Sequence, residues 1–394
     1  MTSTHGPLHG IKVLDLSVMI SGPLAAMTLA DQGADVIKVE SPGIGDFMRY
    51  LGSSKNGMTG IFLNNNRGKR SLVVDLKRPE GVEVLKALAK TADVVIQNFR
   101  PGAVERLGIG FDDLAAVNPN LIYVSISGYG PDGPASGHRV YDNVIQGASG
   151  LASVQVDQTG TPSLFRTLLC DKVTSLKAAQ AITAALLARE RGQAQGQHIV
   201  LAMLDAAIAF LWPDSAMDAV LLDDDANRTP TIAQNYAVTR MKDGFASIGV
   251  VSDSEFAGLC EAYGRPDLAS DERFSTMFAR TANASQLVPI MLELASQRGV
   301  DEFVQRAHEC DVPASKIVTI PELPTQPQVV NNAVFVERDH PVAGRTREPR
   351  PAARFSATPS RVGRHAPMPG EHSDEIVREV GLDPAALRAA GVIG

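Results

Sequence analysis

Cysteine is scarce in this chain of 394 residues, and the three that occur, Cys170, Cys260 and Cys310, lie far apart. They make no metal-type spacing, and an odd count does not suggest a disulfide framework. That usage points to a reducing cytoplasm and to no bound metal. No run of Lys or Arg offsets a net charge of −7, which argues against non-specific nucleic-acid binding. Residues 1–10 are polar with no apolar core, so no signal peptide is expected there. The longest notable apolar run, Ala206 to Trp212, is far too short to span a bilayer. Internal repeats and low-complexity segments are also lacking. What is left, at 44% hydrophobic and 21% charged residues, has the composition of a soluble globular protein long enough for two or three domains.

The most informative stretch is Leu168-Leu169-Cys170-Asp171 and the helix it enters. Val173, Leu176, Ala179, Ile182 and Leu186 recur at spacings of three and four, the period of one helical face. Alanines fill most of the rest and allow close approach of a neighbour. Arg189 and Arg191 suit the negative end of the dipole, and Gly192 stops the helix. Asp171 stands where this helix begins. As an N-cap, its carboxylate accepts backbone N–H groups of the first turn. As a nucleophile, it is held ionised by helix N-terminal N–H groups. The local pattern allows both.

Upstream, Ile11 to Leu16 reads as a strand, Ser21-Gly22-Pro23 opens a helix, and Asp35 to Glu40 reads as the next strand. Strand, helix, strand in about thirty residues predicts a βαβ unit and a parallel sheet. Glu40 ends its strand where a dinucleotide fold keeps its ribose-binding acid. The first turn, however, has no G-x-G-x-x-G, which excludes a nicotinamide or flavin site. Residues 46–66 read mostly as loop. Further strands are expected at Ser71–Leu76, Asp93–Gln97, Leu121–Ile126 and His198–Leu201, with helices between them. That alternation predicts an α/β domain with ligands at the strand ends. Met203 to Leu222 reads as a long helix interrupted near Pro213. An acidic break at Asp223-Asp224-Asp225 marks a boundary, as does the proline-rich Pro321 to Pro327. The expected division is a large Rossmann-like α/β domain over 1–202, a linker helix over 203–234, and a smaller α+β domain over 235–320. Residues 321–394 return to complete the large domain, with 341–369 as an extended surface strap.

Several segments together resemble the class III CoA-transferases, the family that also includes alpha-methylacyl-CoA racemase. The markers are Gly33 to Glu40, Asn66 to Ser71, Asn98 to Gly102, Tyr129-Gly130, Tyr141-Asp142 and the Asp171 helix. Each is weak alone, and six in the right order are strong. The resemblance covers nearly the whole chain. It implies an interlocked homodimer, and coenzyme A handled as acyl-CoA substrate with a small carboxylic acid as acceptor. It places the catalytic aspartate at Asp171, which would form an aspartyl mixed anhydride and then an enzyme–CoA thioester. Carried over position by position, the CoA-binding segments fall on Ile20, Ser21, Val74 to Lys77, Asn98, Phe99, Arg106, Arg139, Tyr141 and Asp142. Lys77, Arg106 and Arg139 suit phosphates as charge-assisted donors.

Departures from the family pattern are as informative. Ile20, followed by Ser21, replaces a glutamine of the oxalate enzymes, so an amide donor to the oxyanion is absent there. Ser41 stands where those enzymes have an arginine, the glycine before the aspartate is Cys170, and the glycine-rich loop has no counterpart. These changes speak against formate or oxalate as substrate. A racemase on the same scaffold needs a histidine where this chain has Tyr141, and His138 lies three residues too early. Tyrosine, with an unperturbed pKa near ~10, is a poor base at neutral pH. Transfer is therefore the preferred reading, ahead of isomerisation or CoA binding without turnover.

Overall fold

In the computed structural model the described residues are 5–157, 159–229, 231, 233 and 236–394. The chain divides into two compact units, Met1–Thr231 with Ala333–Gly394, and Ile232–Asn332. Residues 234 and 235, the expected junction of linker helix and small domain, lie outside the described residues.

The first unit is built on six parallel strands: β1 (Lys12–Asp15), β2 (Asp35–Glu40), β3 (Lys69–Val73), β4 (Val94–Gln97), β5 (Ile122–Ser127) and β6 (Gln197–Ala202). Their order is β3-β2-β1-β4-β5-β6. Val13 of β1 is level with Val36 on one side and Val94 on the other. The central strands are apolar on both faces because both faces are covered. On one face Val13, Val36, Ile96 and Val124 pack with Ala25 and Leu29 of α1 (Ser21–Asp31), and with Ala178 and Ile182 of a long later helix, Leu169–Glu190. On the other, Leu14, Ile37, Val95 and Tyr123 meet Val84, Leu85 and Leu88 of the helix Pro79–Ala89. The C-terminal Ile376, Val377, Val392 and Ile393 complete that second layer.

The structure departs from the sequence reading at several places. Residues 46–66 are not mostly loop. They form a 3-10 turn (Phe47–Tyr50), a small hairpin (Ser54–Lys55 with Met58–Thr59) and helix α2 (Gly60–Asn66). Thr59 caps α2 by accepting the Phe62 N–H at 3.2 Å. Met48, Met58, Phe62 and Leu63 bury against Ile20 in a small core of their own, a tertiary gain that local composition does not show. The helix from Met203 ends at Ser215, with Pro213 inside its last turn, and does not reach Leu222. The stretch 341–369 is not a simple strap. Its first part, Gly344–Pro349, pairs antiparallel with Phe335–His340.

The second unit holds a three-stranded antiparallel sheet, Ala314–Lys316, Phe245–Ile248 and Thr239–Arg240. Helices Asp253–Ala262, Ala284–Ser296 and Val300–Glu309 accompany it. Met241, Ala246, Leu259, Phe303 and Val312 form its core. Among the described residues no helix is long and apolar enough to cross a membrane.

Candidate active site

The strand order reverses between β1 and β4. The chain leaves β1 for β2 on one side and β4 for β5 on the other, which opens a crevice at their C-terminal ends. The turn that leaves β1, residues 17–20, is fixed from three directions. The Asn98 side chain, just past β4, accepts the Val18 N–H at 2.9 Å and donates to the Val18 carbonyl at 2.7 Å. Asp46 accepts the Met19 N–H at 3.1 Å, and Lys38 donates to the Ser17 carbonyl at 3.0 Å. Met19 has a φ of 68°, a left-handed conformation that a non-glycine residue holds only under such constraint. The turn then delivers Ser21 as the first residue of α1. Gly22 follows because a Cβ there would stand 2.2 Å from the Ser17 hydroxyl.

The long helix Leu169–Glu190 faces this end of α1. Ser175, one turn beyond Asp171, donates to the Ser21 carbonyl at 2.7 Å and ties the two helices together. Asp171 is half-buried in the first turn of the long helix, two residues inside its start at Leu169. It is therefore not the N-cap, a position that falls to Leu168. Burial, then the neighbouring Asp142 carboxylate, pushes the Asp171 carboxyl up to about 7, against the opposing pull of the Ser21 backbone N–H and hydroxyl.

Asp142 opens the short helix Asp142–Ala148 and is almost wholly buried. Its Oδ2 accepts the backbone N–H of Asp171 at 2.9 Å, so the cap on the long helix comes from a residue distant in the chain. Its Oδ1 accepts from the Gln146 amide at 2.6 Å. Cys170 is fully buried beside Asp171, and burial, then Asp142 and Asp171, pushes its thiol up to about 12, which leaves it a packing residue.

The charged residues of the first two sequence markers serve the fold. Lys69 is fully buried and donates to Asp15 at 2.7 Å, to the Pro23 carbonyl at 2.8 Å and to Asn66 at 2.8 Å. Lys38 pairs with Asp46 at 2.9 Å. Glu40 takes a bidentate pair from Arg49, at 2.8 and 2.6 Å, so it is occupied within the fold and does not face a ribose. Arg67 forks onto Asp31, at 3.0 and 2.7 Å, and Arg70 onto Asp35, at 3.0 and 2.6 Å. Burial would raise Asp15, but Lys69 and Lys38 outweigh it and hold its carboxyl low. Burial pushes Lys69 down to about 8 against the pull of Asp15.

Of the residues expected at the site, Ser21 and Asp142 meet at Asp171, Ile20 belongs to the turn that presents Ser21, and Asn98 pins that turn from the end of β4. Val74 is buried just past β3, bridged to Ile393. Lys77, Arg106 and Arg139 are exposed. Phe99 packs at the margin of the second core layer and lines a cavity of about 200 Å³ with Arg100 and Gln97. Tyr141 is exposed, and His138 is exposed with its ring edge-on to Tyr129. Sequence reasoning missed Gln146, Ser175 and Asp46. Gln146 lies four residues after Asp142 and Ser175 four after Asp171, a helical spacing that puts each pair on one face and is the available signal. Asp46 carries no such signal.

At the strand-order reversal, where α/β folds place their ligands, a half-buried carboxylate thus stands against the start of a helix. Residues 8–373 match the model of CoA-transferase family III, and the chain belongs to that family. It is a CoA-transferase that works between an acyl-CoA and a carboxylate. It is 32% identical to the human succinyl-CoA:glutarate CoA-transferase over 378 residues, which spans 95% of this chain and 86% of that one. Identity to the succinate–glutarate CoA-transferase of Agrobacterium fabrum is 34%, over 96% of this chain and 97% of the relative. The crystal structure of a CAIB/BAIF family protein from Brucella suis superposes with a TM-score of 0.85 at 33% identity, covering 96% of this chain and all of that one.

Proposed function

We propose that Asp171 carries the transfer as a nucleophile, and that the protein moves CoA from succinyl-CoA to a small dicarboxylic acid. The observation that carries this is the Asp171 carboxylate itself, half-buried, opposite Ser21 at the start of α1. The carboxylate attacks the thioester carbonyl, forming the mixed anhydride and releasing CoA thiolate. The thiolate attacks the aspartyl carbonyl and expels the donor acid, leaving an aspartyl–CoA thioester. The acceptor carboxylate attacks that thioester, giving a second anhydride and free thiolate. The thiolate then takes the acceptor acyl group and restores Asp171. Anhydride and thioester are both energised, so little free energy is lost between donor and acceptor. With Ile20 in place of an amide side chain, the Ser21 backbone N–H and hydroxyl are the donors available to a developing oxyanion.

The CoA moiety lies along the C-terminal ends of β3 and β4 in this reading, with Lys77, Arg106 and Arg139 on its phosphates. Succinyl and glutaryl groups are favoured because the human and Agrobacterium fabrum relatives are named for them. The protein acts as an interlocked homodimer in a reducing cytoplasm. Support for an assembly comes from the exposed Leu176 and Leu187 of the long helix and from Phe210 and Trp212 of the helix Met203–Ser215, apolar surface of the kind that partners cover. The test is a screen of carboxylate acceptors with succinyl-CoA as donor and mass spectrometric detection of new thioesters. Glutarate and its close homologues should give the new thioester. Transfer to monocarboxylates alone would overturn the dicarboxylate reading.

A further inference from the structure

Gln146 takes no part in the chemistry proposed above, yet it is among the most completely engaged side chains near the site. It is about 1% exposed. The two hydrogens of its amide nitrogen are shared among three acceptors, Asp142 Oδ1 at 2.6 Å, the Phe165 carbonyl at 3.2 Å and the Thr167 carbonyl at 3.1 Å. Its amide oxygen accepts the Phe165 N–H at 2.8 Å. One primary amide thus grips both ends of the segment 165–167 that leads into the long helix. It also orients the carboxylate whose other oxygen caps the Asp171 N–H at 2.9 Å. A primary amide supplies two donors and a strong acceptor at this reach, whereas an ionised glutamate lacks the donors and methionine has no donor and only a weak acceptor.

We infer that Gln146 is a positioning residue: it fixes Asp142 and the 165–167 segment, and through them the place of the Asp171 carboxylate. This rests on the reading of Asp171 as nucleophile. Buried polar groups in such a network are costly to leave half-satisfied, so the network holds one arrangement. Displacement of a reacting group by about 1 Å costs on the order of 100-fold in rate. Among the groups around Asp171, Asp142 is the charged one that faces it. The facing end of α1 brings Ser21, and the long helix itself brings the Cys170 thiol and the exposed Lys172, whose Nζ is held by the Thr167 hydroxyl at 2.6 Å.

The experiment is single-turnover acylation of Asp171 by succinyl-CoA, followed by mass spectrometry of the Asp171 peptide, in wild type, Gln146→Met and Gln146→Glu. Both variants should form the adduct about 30- to 100-fold more slowly, with CoA affinity within about twofold of wild type. Gln146→Glu should also move the acid limb of the rate to higher pH, because it adds a negative charge next to Asp142. If Gln146→Met does not fold, Gln146→Glu carries the test with the same size and the acceptor retained. Wild-type acylation rates in the variants would overturn the inference, as would rate and affinity falling by the same factor. Absence of any Asp171 adduct in wild type would instead overturn the nucleophile reading, and the two failures are distinguishable.

Discussion

Asp142 Oδ2 accepts the backbone N–H of Asp171 at 2.9 Å, while its charge stands close enough to help raise the Asp171 carboxyl. One buried carboxylate thus fixes the backbone at Asp171 and makes its carboxyl more basic than that of an ordinary aspartate. The proton stays on Asp171 more readily, and once ionised the group is the better nucleophile.

Asp171→Asn keeps the shape of the side chain and removes the proposed nucleophile. Transfer should fall by at least about 10,000-fold while CoA still binds, since the residual rate would come from binding alone. Steady-state transfer and CoA titration on the same preparation check this. Near-normal transfer without deamidation of the introduced asparagine would remove Asp171 from the mechanism.

With Asp171 raised to about 7, the rate should climb with pH through that value as the carboxyl ionises. Asp142→Asn takes away the neighbouring charge, so the limb should move to lower pH even as the maximum rate falls. A pH profile of kcat/KM for both proteins checks the direction.

The same shift has a stability consequence. A carboxyl whose pKa in the fold stands above its ordinary value of 3.8 favours the fold while protonated. That contribution is complete below about 3.8 and is lost as pH rises to about 7. Above that, the ionised, half-buried group costs stability. Asp171→Asn should therefore be more stable than wild type at pH 8, by about 2 kcal/mol once the full value of about 4 kcal/mol is discounted for the partial solvent exposure of the carboxyl, and little different at pH 4. Urea unfolding at the two pH values gives the comparison.

Asp15 is fully buried with Lys69 at 2.7 Å and Lys38 at 4.0 Å. Asp15→Ala strands the buried Lys69 ammonium and leaves Lys38 with Asp46 alone, and should cost about 3–5 kcal/mol. The pair Asp15→Leu with Lys69→Met should cost less than Asp15→Ala, because it removes the stranded charge together with its partner. Denaturation midpoints of the three proteins decide it.

If the enzyme transfers and does not racemise, a 2-methylacyl-CoA in deuterated water should gain no alpha-deuterium at a rate comparable with transfer. Tyr141 is exposed and His138 packs on Tyr129, while Asp142 is committed to the Asp171 N–H. Rapid exchange that survives Tyr141→Phe and is lost in His138→Ala would favour the isomerase reading.

Apolar periodicity and turn residues are local properties of the chain, and they are enough to lay out the alternating strands and helices of the first unit and the helix that contains Asp171. The family resemblance is legible for a similar reason, because its markers keep their order along the chain. What the charged markers do is a matter of packing. Lys38, Glu40, Arg67, Lys69 and Arg70 stand in two of the sequence markers, and in the fold each is taken up in an ion pair with a buried or half-buried partner of opposite charge. Packing alone also sets Asp171 inside the first turn with its N–H capped by Asp142, and lets Gln146 hold the segment between them. Hydrogen bonds across 19 to 29 residues depend on how helices pack against the sheet, and no local pattern encodes that distance.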